Sequence, residues 1–497
     1  MINYTISTKS LMEHAADAYV VCVHQDETFS KELKKIAADY FPGLESLAQK
    51  RKFTGAPVTS LVIQIHRDNV PCYIILLGIG KKTDKKPENY RRALGHLIRV
   101  AEQYEIKSLV IDTPSPSFFG IDSEQLGQET GTIVPMAVYY FDEYLTEKKE
   151  KEFDITFIVS KDKQAFQKGL DAGIIIGTAV NEARHWIDLP PEDLSPIELA
   201  GKAKKLAKKY GLKCKVFTEK DIIEMGMGGL AGVSKGSELD AHLVILEYTT
   251  KKKNAPTLAF VGKGITFDSG GLSLKPAQAM ETMKDDMSGA AAVLATMDAL
   301  AQLEPHVNVI CVMPLSENLP SGSAVKPGDI LRFYNGKTAE VLNTDAEGRL
   351  ILADALSYVV KHYKLDALID IATLTGACAY ALGPFFSGLM SQHDALSKKV
   401  QQAAERTGDR VWPLPLDDDY AVAIKSTNAD LCNIGSPKYR AGAITAAHFL
   451  KNFVDDVPWV HLDIAGTAFD VPDIPYYRTG STGASIRLLV DLAMHWK

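Results

Sequence analysis

The feature that most constrains the fold is a regular alternation of short apolar segments with longer amphipathic ones. Short apolar runs bounded by turn residues predict buried strands, whereas apolar residues recurring every three or four positions predict helices. In the first third of the chain the predicted strands are SLVIQIH (60–66), CYIILLGIG (72–80), SLVIDT (108–113) and DITFIVS (154–160), and YRRALGHLIRVAEQY (90–104) is a predicted helix. Because alternating strands and helices are typical of α/β folds, we predict a smaller N-terminal α/β domain over residues 1–161.

A long helical segment follows this first domain. Residues 162–188 keep helical periodicity until Leu189-Pro190-Pro191, where the prolines exclude further helix. A chain of 497 residues is also too long for one ordinary hydrophobic core. The sequence therefore predicts two domains, joined by a connecting helix at 162–191, with a larger catalytic domain over 192–497.

The first helix of the second domain is predicted to begin at Ser195-Pro196, where serine suits a helix cap and proline the first helical position. The predicted strands are KCKVFT, HLVILEY, TLAFVGKG, VNVICVMPL, ALIDIAT and WVHLDIAG, and the predicted helices are GAAAVLATMDALAQL, LILADALSYVV and AGAITAAHFLKNFV. Asn335-Gly336 predicts a hairpin turn between LRFY and KTAEVL. This order predicts an α/β fold with a central mixed sheet flanked by helices.

Charge and cysteine content exclude several classes of protein. The 55 Lys and Arg residues against 62 Asp and Glu residues give a net charge of −7, so no overall positive field favours nucleic acid or anionic lipid. The six scattered cysteines form no C-x-x-C pair, which favours a reducing compartment. The N-terminus lacks the pattern of a secretory signal, and no apolar run approaches the ~20 residues that span a bilayer. We therefore expect a cytoplasmic protein without a membrane partner.

Polar residues follow three of the predicted strands or turns, where sites form in α/β folds. TLAFVGKGITFDSGG supplies Lys263 and Asp268, with Lys275 four residues beyond, METMKDDMSGAAAVL supplies Asp285 and Asp286, and NTDAEGRL supplies Asp345, Glu347 and Arg349. The glycine-rich stretch does not fit the phosphate-binding pattern G-x-x-x-x-G-K-[ST]. If Asp268, Asp286, Asp345 and Glu347 share one cleft, their four carboxylates repel one another unless cations join them. The sequence therefore predicts a divalent-metal site.

The octapeptide NTDAEGRL (343–350) allows two interpretations by itself. Thr344 and Glu347 have the spacing of a capping box at the start of the following helix. Alternatively, in an extended chain Asp345, Glu347 and Arg349 share one face and point toward one place. The eight residues alone favour the cap, and the other acidic segments favour the metal site.

Several segments together resemble the leucyl (cytosol) aminopeptidase family of two-metal exopeptidases. NTDAEGRL matches that family's hallmark octapeptide, and VGKGITFDSGGLSLKP, MKDDMSGAAAV, DIATLTGAC, ADLCNIG, AGAITAAHFLKNFV and WVHLDIAGTA match its other segments in order, from about Asn181 to the C-terminus. The resemblance implies that Lys263, Asp268, Asp286, Asp345 and Glu347 are metal ligands, with Asp268 and Glu347 bridging two ions. Mn²⁺ and Zn²⁺ both suit these ligands.

The resemblance also implies roles for neighbouring residues. Lys275 and Arg349 would be the catalytic side chains, with bicarbonate bound at Arg349 as general base. Thr373 and Leu374 would contact the substrate backbone. Met283 and Ala465 would line an apolar pocket that favours Leu or Met at the N-terminal position. We therefore expect a metallo-aminopeptidase acting on peptides and assembling as a homohexamer.

The chain departs from the family pattern in two places, and one alternative function stays open. NEARHWIDLPPEDLSP differs around His185 and Glu192, in a segment that joins the domains, and the C-terminal Ser481 and Ala484 leave substrate preference open. His461 is interpreted as a core or surface residue and not as a ligand. Some family members also bind DNA in a regulatory role, but the net charge of −7 argues against it here. An inactive scaffold is disfavoured because every ligand and catalytic position is retained.

Overall fold

The computed structural model describes residues 2–25, 27–148 and 152–496. The chain divides into two compact units. One contains the residues up to Asn181 together with Pro472–Arg478, and the other contains Glu182–Val471 together with the residues from Thr479 onward. The helix predicted over residues 162–188 is observed at Lys163–Asp188, and the division falls within it. Among the described residues, every helix is too short or too polar to cross a bilayer.

The first unit is built on one six-stranded sheet. Its strands are β1 (Ile2–Ser7), β2 (Ala18–Val23), β3 (Ser60–Arg67), β4 (Val70–Gly78), β5 (Ser108–Asp112) and β6 (Phe153–Ile158), and its helices are α1 (Lys31–Tyr40), α2 (Leu44–Lys50), α3 (Pro87–Gln103), α4 (Ser123–Val138) and most of α5 (Lys163–Asp188). The strand order is β1-β6-β5-β2-β4-β3, parallel except for the edge pair β3 and β4. The predicted α/β class is confirmed for this unit.

Glycines allow α4 and α5 to pack at close range. On α5, a Cβ added at Gly169 would lie 1.8 Å from the Glu124 carbonyl oxygen, and one added at Gly173 would lie 2.2 Å from that of Gln128. On α4, a Cβ at Gly127 would lie 2.1 Å from the Phe166 carbonyl oxygen. Any larger side chain at these positions would force the two helices apart.

A short segment from near the C-terminus completes the first unit. Tyr476 is 1% exposed, and its hydroxyl donates a hydrogen bond to Glu88 on α3 at 3.0 Å. Arg99, also on α3, donates to the Tyr477 carbonyl oxygen at 2.9 Å. Gly95 leaves the space that the Tyr476 backbone fills, since a Cβ there would lie 2.6 Å from the Tyr476 nitrogen. The first unit is therefore discontinuous in sequence.

The second unit contains a nine-stranded mixed sheet and a separate three-stranded sheet. Its strands are β7 (Lys213–Phe217), β8 (His242–Tyr248), β9 (Thr257–Gly262), β10 (Gly264–Asp268), β11 (Asn308–Asn318), β12 (Ile330–Arg332), β13 (Thr338–Glu340), β14 (Ala367–Ala372), β15 (Ser387–Met390), β16 (Val411–Pro413), β17 (Leu431–Cys432) and β18 (Trp459–Asp463). Its helices are α6 (Pro196–Tyr210), α7 (Glu219–Glu224), α8 (Gly228–Ser234), α9 (Ala277–Met280), α10 (Ser288–Leu303), α11 (Gly348–His362), α12 (Gly376–Leu382), α13 (Asp394–Thr407), α14 (Gly442–Lys451) and α15 (Ile486–Met494).

The large sheet brings several strand ends to one edge. Its order is β16-β15-β18-β14-β9-β11-β8-β7, and β10 pairs with β11. Strands β18, β14, β9 and β11 are parallel neighbours, while β8 and β15 run antiparallel. The predicted mixed sheet is confirmed. Because parallel strands end on the same side, the loops after β9, β14 and β18 lie next to one another.

The predicted hairpin at Asn335-Gly336 is also confirmed. β12 and β13 pair antiparallel, and Gly336 has a φ of 88°, which a residue without a Cβ adopts readily. The hairpin also gains a third strand, because β13 pairs in parallel with β17. The chain leaves β13 directly into the octapeptide that begins at Asn343.

The close contact between α4 and α5 predicts an unusual response to alanine. Gly173→Ala should lower the stability of the first unit by about 1–3 kcal/mol, because its Cβ would overlap the Gln128 carbonyl oxygen. The matched control is Gly201→Ala in α6, where nothing lies within 4 Å of an added Cβ and alanine should stabilise the helix by up to about 1 kcal/mol. Differential scanning calorimetry resolves the transitions. An unfolding midpoint for Gly173→Ala at or above that of the unmodified chain would contradict the contact.

Candidate metal centre

Lys263 lies between β9 and β10, at the point where the sheet meets α10. Its backbone N–H donates to the Ile371 carbonyl oxygen at 3.0 Å, and its own carbonyl oxygen accepts from Ala290 at 2.7 Å. This approach depends on glycine at two neighbouring positions: a Cβ at Gly262 would lie 2.2 Å from the Gly289 oxygen, and one at Gly289 would lie 2.1 Å from the Ile371 oxygen. The local glycines therefore hold the start of α10 against the ends of β9 and β14.

The Lys263 side chain is 3% exposed and contacts two carboxylates. Its Nζ lies 2.7 Å from Asp286 Oδ1 and 2.8 Å from Glu347 Oε1, and it also donates to the Thr373 carbonyl oxygen at 3.0 Å. Gly348 makes room for this side chain, because a Cβ there would lie 2.5 Å from Lys263 Cε. Acidic residues from two sequence segments therefore meet around one amine.

Asp268, at the end of β10, faces a second lysine. Its Oδ1 accepts hydrogen bonds from the Gly270 N–H at 2.9 Å and from Asn318 Nδ2 at 2.8 Å, which fix the orientation of the carboxylate. Its Oδ2 lies 2.8 Å from Lys275 Nζ, which also lies 2.6 Å from Asp345 Oδ1. Lys275 thus links Asp268 to the octapeptide.

Three of the predicted ligands, Asp268, Asp286 and Glu347, form a group suited to a metal ion. One carboxylate oxygen from each lies within 4.8 Å of the others, and all three residues are buried. Asp286 Oδ2 and Glu347 Oε2 are buried oxygens without a hydrogen-bond partner among the described residues. Buried carboxylate oxygens without partners are costly unless a cation binds them. The chemistry of these residues therefore fits divalent cations, with Asp345 joined to the group through Lys275.

The pKa values of the group show how closely the charges are coupled. Burial raises the pKa of Asp268 to about 6, and the neighbouring Glu347 carboxylate acts in the same direction. Burial also raises the pKa of Asp286 well above its usual range. For Glu347, burial opposes ionisation, but Lys263 outweighs it and the pKa falls. For Lys263, burial favours the neutral amine, but Asp286 and Glu347 outweigh it and the pKa rises. Positive charge is therefore what holds these carboxylates together.

The structure decides between the two interpretations of NTDAEGRL. The capping box predicted from Thr344 and Glu347 is wrong, because α11 begins at Gly348 with Glu347 itself as the N-cap and no side-chain cap bond. Thr344 instead donates to the Gly270 carbonyl oxygen at 2.7 Å. The predicted convergence of the charges does occur for Asp345 and Glu347, but through a turn and a helix start and not through an extended segment.

Arg349, in the first turn of α11, is buried beside the cluster. Its Nη1 donates to the Asn433 carbonyl oxygen at 2.8 Å, while its Nε is buried without a hydrogen-bond partner among the described residues. Burial lowers the pKa of Arg349 to about 10, although Glu347 and Asp463 favour the charged form. The guanidinium therefore retains donor capacity next to the carboxylates.

Two loops that carry predicted substrate contacts are held by one buried acid that the sequence interpretation missed. Asp463, at the end of β18, is 0% exposed. Its Oδ1 accepts from the N–H groups of Leu374 and Ala465, both at 3.2 Å, and its Oδ2 accepts from Thr375 Oγ1 at 2.6 Å. In the same loop, Thr373 Oγ1 donates to Asp286 Oδ1 at 2.7 Å. The loops after β14 and β18 are therefore fixed to each other and to the cluster.

The remaining predicted substrate residue, Met283, is half-buried and begins the 3₁₀ turn Met283–Met287 that carries Asp286. A cavity of about 430 Å³ opens beside the cluster from Asp345 and Arg349. Its lining also includes Leu374, but neither Met283 nor Ala465. The two residues predicted to line the side-chain pocket are therefore not part of the wall of this cavity.

Two further polar groups were not predicted as structural partners. Asn433 is fully buried, and its Oδ1 accepts from the Leu342 N–H at 2.8 Å, which fixes the approach to the octapeptide. His461, predicted as a core or surface residue, is in the core. Its Nδ1 lies 2.6 Å from Asp370 Oδ1, and Trp459 Nε1 donates to Asp370 Oδ2 at 2.6 Å. The sequence did contain a signal for such partners, namely the acidic residues inside the apolar strands ALIDIAT and WVHLDIAG, because a buried acid requires a partner.

Comparison with known proteins identifies relatives over nearly the whole chain. The model of the cytosol aminopeptidase family's catalytic domain matches residues 181–490, and that of its N-terminal domain matches residues 20–148. The probable cytosol aminopeptidase of Alkaliphilus oremlandii (strain OhILAs) is 39% identical over 489 residues, covering 97% of each protein. That of Chlorobaculum tepidum is 41% identical over 485 residues, covering 94% of this chain and 95% of the relative.

Solved structures agree with the sequence relatives. The bottromycin maturation enzyme BotP, in complex with Mn, has a TM-score of 0.84 at 30% identity and covers 97% of this chain and 99% of its own. A mutant of tomato leucine aminopeptidase has a TM-score of 0.89 at 29% identity, covering 99% of this chain and 96% of its own. The resemblance inferred from the sequence motifs is confirmed. This chain therefore belongs to the cytosol aminopeptidase family, whose members are metal-dependent hydrolases that act as aminopeptidases.

Proposed function

We propose that this protein is a leucyl-type aminopeptidase that removes bulky apolar residues, preferably Leu or Met, from the N-termini of peptides. The observation that carries the proposal is the group of three buried carboxylates, with ligand oxygens within 4.8 Å of one another. Lys263, Asp268, Asp286, Asp345 and Glu347 would hold two divalent cations. These residues offer mainly oxygen ligands and one amine, a combination that suits Mn²⁺ or Zn²⁺.

Two divalent ions, when bound, would supply Lewis-acid polarisation of the scissile carbonyl and a water molecule of lowered pKa. Lys263 would bind as a neutral amine, because neighbouring cations would disfavour its ammonium form. The hydrogen bonds from Gly270 and Asn318 keep Asp268 oriented, as outer hydrogen bonds do for ligating carboxylates. The protein's part in this chemistry is therefore a rigid set of ligands.

Lys275 and Arg349 would act on the reacting peptide bond. Lys275 keeps its positive charge beside Asp268 and Asp345, and that charge stabilises the oxyanion that forms when water attacks the carbonyl. Arg349 has a planar fork of donors suited to a small carboxylate-like anion. Arg349 would hold bicarbonate in this way, and the bound anion would supply a general base.

The loops after β14 and β18 would orient the substrate. Thr373 and Leu374 present backbone and side-chain groups to the peptide, while Met283 and Ala465 line the pocket for the N-terminal side chain. An apolar pocket favours large apolar side chains by the area that it removes from water. Since Asp463 joins Leu374 to Ala465, one carboxylate sets the spacing between the two sides of the substrate.

A homohexamer in the cytoplasm is proposed on the same family resemblance. DNA binding as an additional role is the alternative kept from the sequence, and the charge of the chain argues against it. The net charge of −7 gives no overall attraction to a polyanion.

Removing one predicted ligand should abolish activity without unfolding the protein. Glu347→Ala or Asp268→Ala should lower hydrolysis of leucine amide by about 10³-fold or more, because the metal contribution amounts to several kcal/mol. Circular dichroism checks the fold, and elemental analysis counts bound metal. The control is Glu224→Gln, in an exposed position on α7. If either ligand variant hydrolysed leucine amide at the unmodified rate, the assignment of the ligands would be wrong.

Chelation should separate the metal requirement from the substrate preference. The protein is dialysed against a chelator and tested on a panel of aminoacyl amides after addition of Mn²⁺, Zn²⁺, Co²⁺ or Mg²⁺. We expect loss of activity and a lower unfolding temperature after chelation, because an ion that binds only the folded state stabilises it. Leucine and methionine amides should then recover the highest kcat/KM. Full activity in the chelated protein would contradict the metal mechanism.

Asp463 should position the substrate loops without touching the reacting atoms. Asp463→Asn places an amide NH₂ where the loops present N–H donors, so we expect kcat/KM for leucine amide to fall about 10- to 100-fold, because displaced loops would misplace the substrate. The matched control is Asp370→Asn, because Asp370 is also a fully buried acid, and its side-chain partners among the described residues are His461 and Trp459. It should reduce stability and largely retain kcat/KM. Equal kinetic losses in both variants would indicate a general effect on the core.

A further inference from the structure

The cavity beside the cluster has a second guanidinium in its lining. Arg440, from the segment between β17 and α14, lines the same cavity as Asp345 and Arg349. Arg440 is exposed, and none of the described residues forms an ion pair with it. Arg349 is buried at the cluster and its Nη1 is bonded to Asn433, while Asp345 is paired with Lys275. With Arg349 assigned to bicarbonate, Arg440 is the charged residue of this lining that has no role in the proposed reaction.

The position of the cavity indicates which part of a peptide enters it. It begins at Asp345 and Leu374, beside the cluster, but includes neither Met283 nor Ala465, the residues proposed for the N-terminal side chain. A peptide cleaved at the cluster extends in two directions from the scissile bond. The part beyond that bond, which leaves as the shortened peptide, therefore has this cavity of about 430 Å³ available. That volume lies within the range of ~300–1,000 Å³ found for ligand sites.

Arg440 lies in a tight turn directly before α14. Its φ is 47°, in the left-handed region, where glycine and asparagine are the usual residues. The next residues begin α14 (Gly442–Lys451), whose N-cap Ala441 provides no side-chain cap bond, and both Ala441 and Gly442 line the cavity. The partial positive charge of this helix start has the same sign as Arg440.

We propose that Arg440 selects peptides that carry a carboxylate on the residue following the scissile bond. The inference rests on the proposed aminopeptidase function and adds a specificity that the metal centre does not provide. A guanidinium binds a carboxylate through two parallel N–H···O bonds, which an amide cannot reproduce. In a dipeptide this carboxylate is the free C-terminus, and in a longer peptide it is the side chain of Asp or Glu. The same guanidinium would recognise either source.

The test compares matched substrates that differ only in this charge. Leu-Gly and Leu-Gly-amide differ in the terminal carboxylate, and Leu-Asp-amide and Leu-Asn-amide differ in the side chain. We expect the unmodified protein to favour the charged member of at least one pair by about three- to tenfold in kcat/KM, mainly through KM, as for a partly exposed ion pair. The preference should decrease as salt is raised, because salt screens exposed charges. The pair that shows it identifies the source of the carboxylate.

Variants of the segment assign the effect to one side chain. Arg440→Gln should remove the preference, and Arg440→Lys should retain part of it, since lysine keeps the charge without the fork. The matched control is Lys438→Gln, which removes an exposed cation two residues earlier that does not line the cavity, and it should leave the preference unchanged.

Three outcomes would overturn the inference: no preference in the unmodified protein, a preference that survives Arg440→Gln, or equal loss in Lys438→Gln. Each of these outcomes tests the inference only if the protein cleaves Leu-Gly-amide, which shows that it is an active aminopeptidase. Failure to cleave any member of the panel would instead contradict the proposed function.

Discussion

The interaction on which the site depends is the mutual neutralisation of buried charges. Asp286 and Glu347 meet at Lys263, and Asp268 and Asp345 meet at Lys275, with every nitrogen-to-oxygen distance between 2.6 and 2.8 Å. A buried charge without a partner is strongly unfavourable, and removal of one member leaves the others uncompensated. The two lysines therefore neutralise acidic residues from three separate segments, which allows their carboxylates to lie close together. The same requirement for positive charge is what divalent cations would satisfy.

The backbone around the cluster is adapted to this arrangement. Gly262 and Gly289 bring α10 against the ends of β9 and β14, and Gly348 leaves space for the Lys263 stem. Asn318 bonds to the Asp268 carboxylate, and Asn433 and Asp463 bond to the backbone of the neighbouring loops. Rigid placement of this kind is what catalytic sites require, since small displacements of reacting groups are costly. The small residues are therefore as much a part of the site as the charged ones.

The sequence predicted the elements better than the contacts between them. Strong periodicity identified β3, β4 and α5 closely, because these segments repeat one pattern over many residues. The motifs also pointed to Lys263, Asp268, Asp286, Asp345 and Glu347. In the structure, Asp286 and Glu347 contact Lys263, while Asp268 and Asp345 contact Lys275. The capping interpretation of Thr344, one of the two left open, fails because a local capping pattern competes with tertiary hydrogen bonds, and here the Gly270 carbonyl oxygen is the partner. The partners of Asp463 and the glycine contact between α4 and α5 depend on residues far apart in sequence, which no local pattern encodes.

The discontinuity of the first unit has a consequence for biosynthesis. Glu88, Gly95 and Arg99 on α3 receive their partners from Pro472–Arg478, which the ribosome produces only after almost all of the chain. Until then, the surface of α3 that Tyr476 covers is open to water or to other nascent proteins, and such exposed apolar surface attracts chaperones and aggregation. The N-terminal unit, although made first, thus reaches its final packing among the last parts of the molecule.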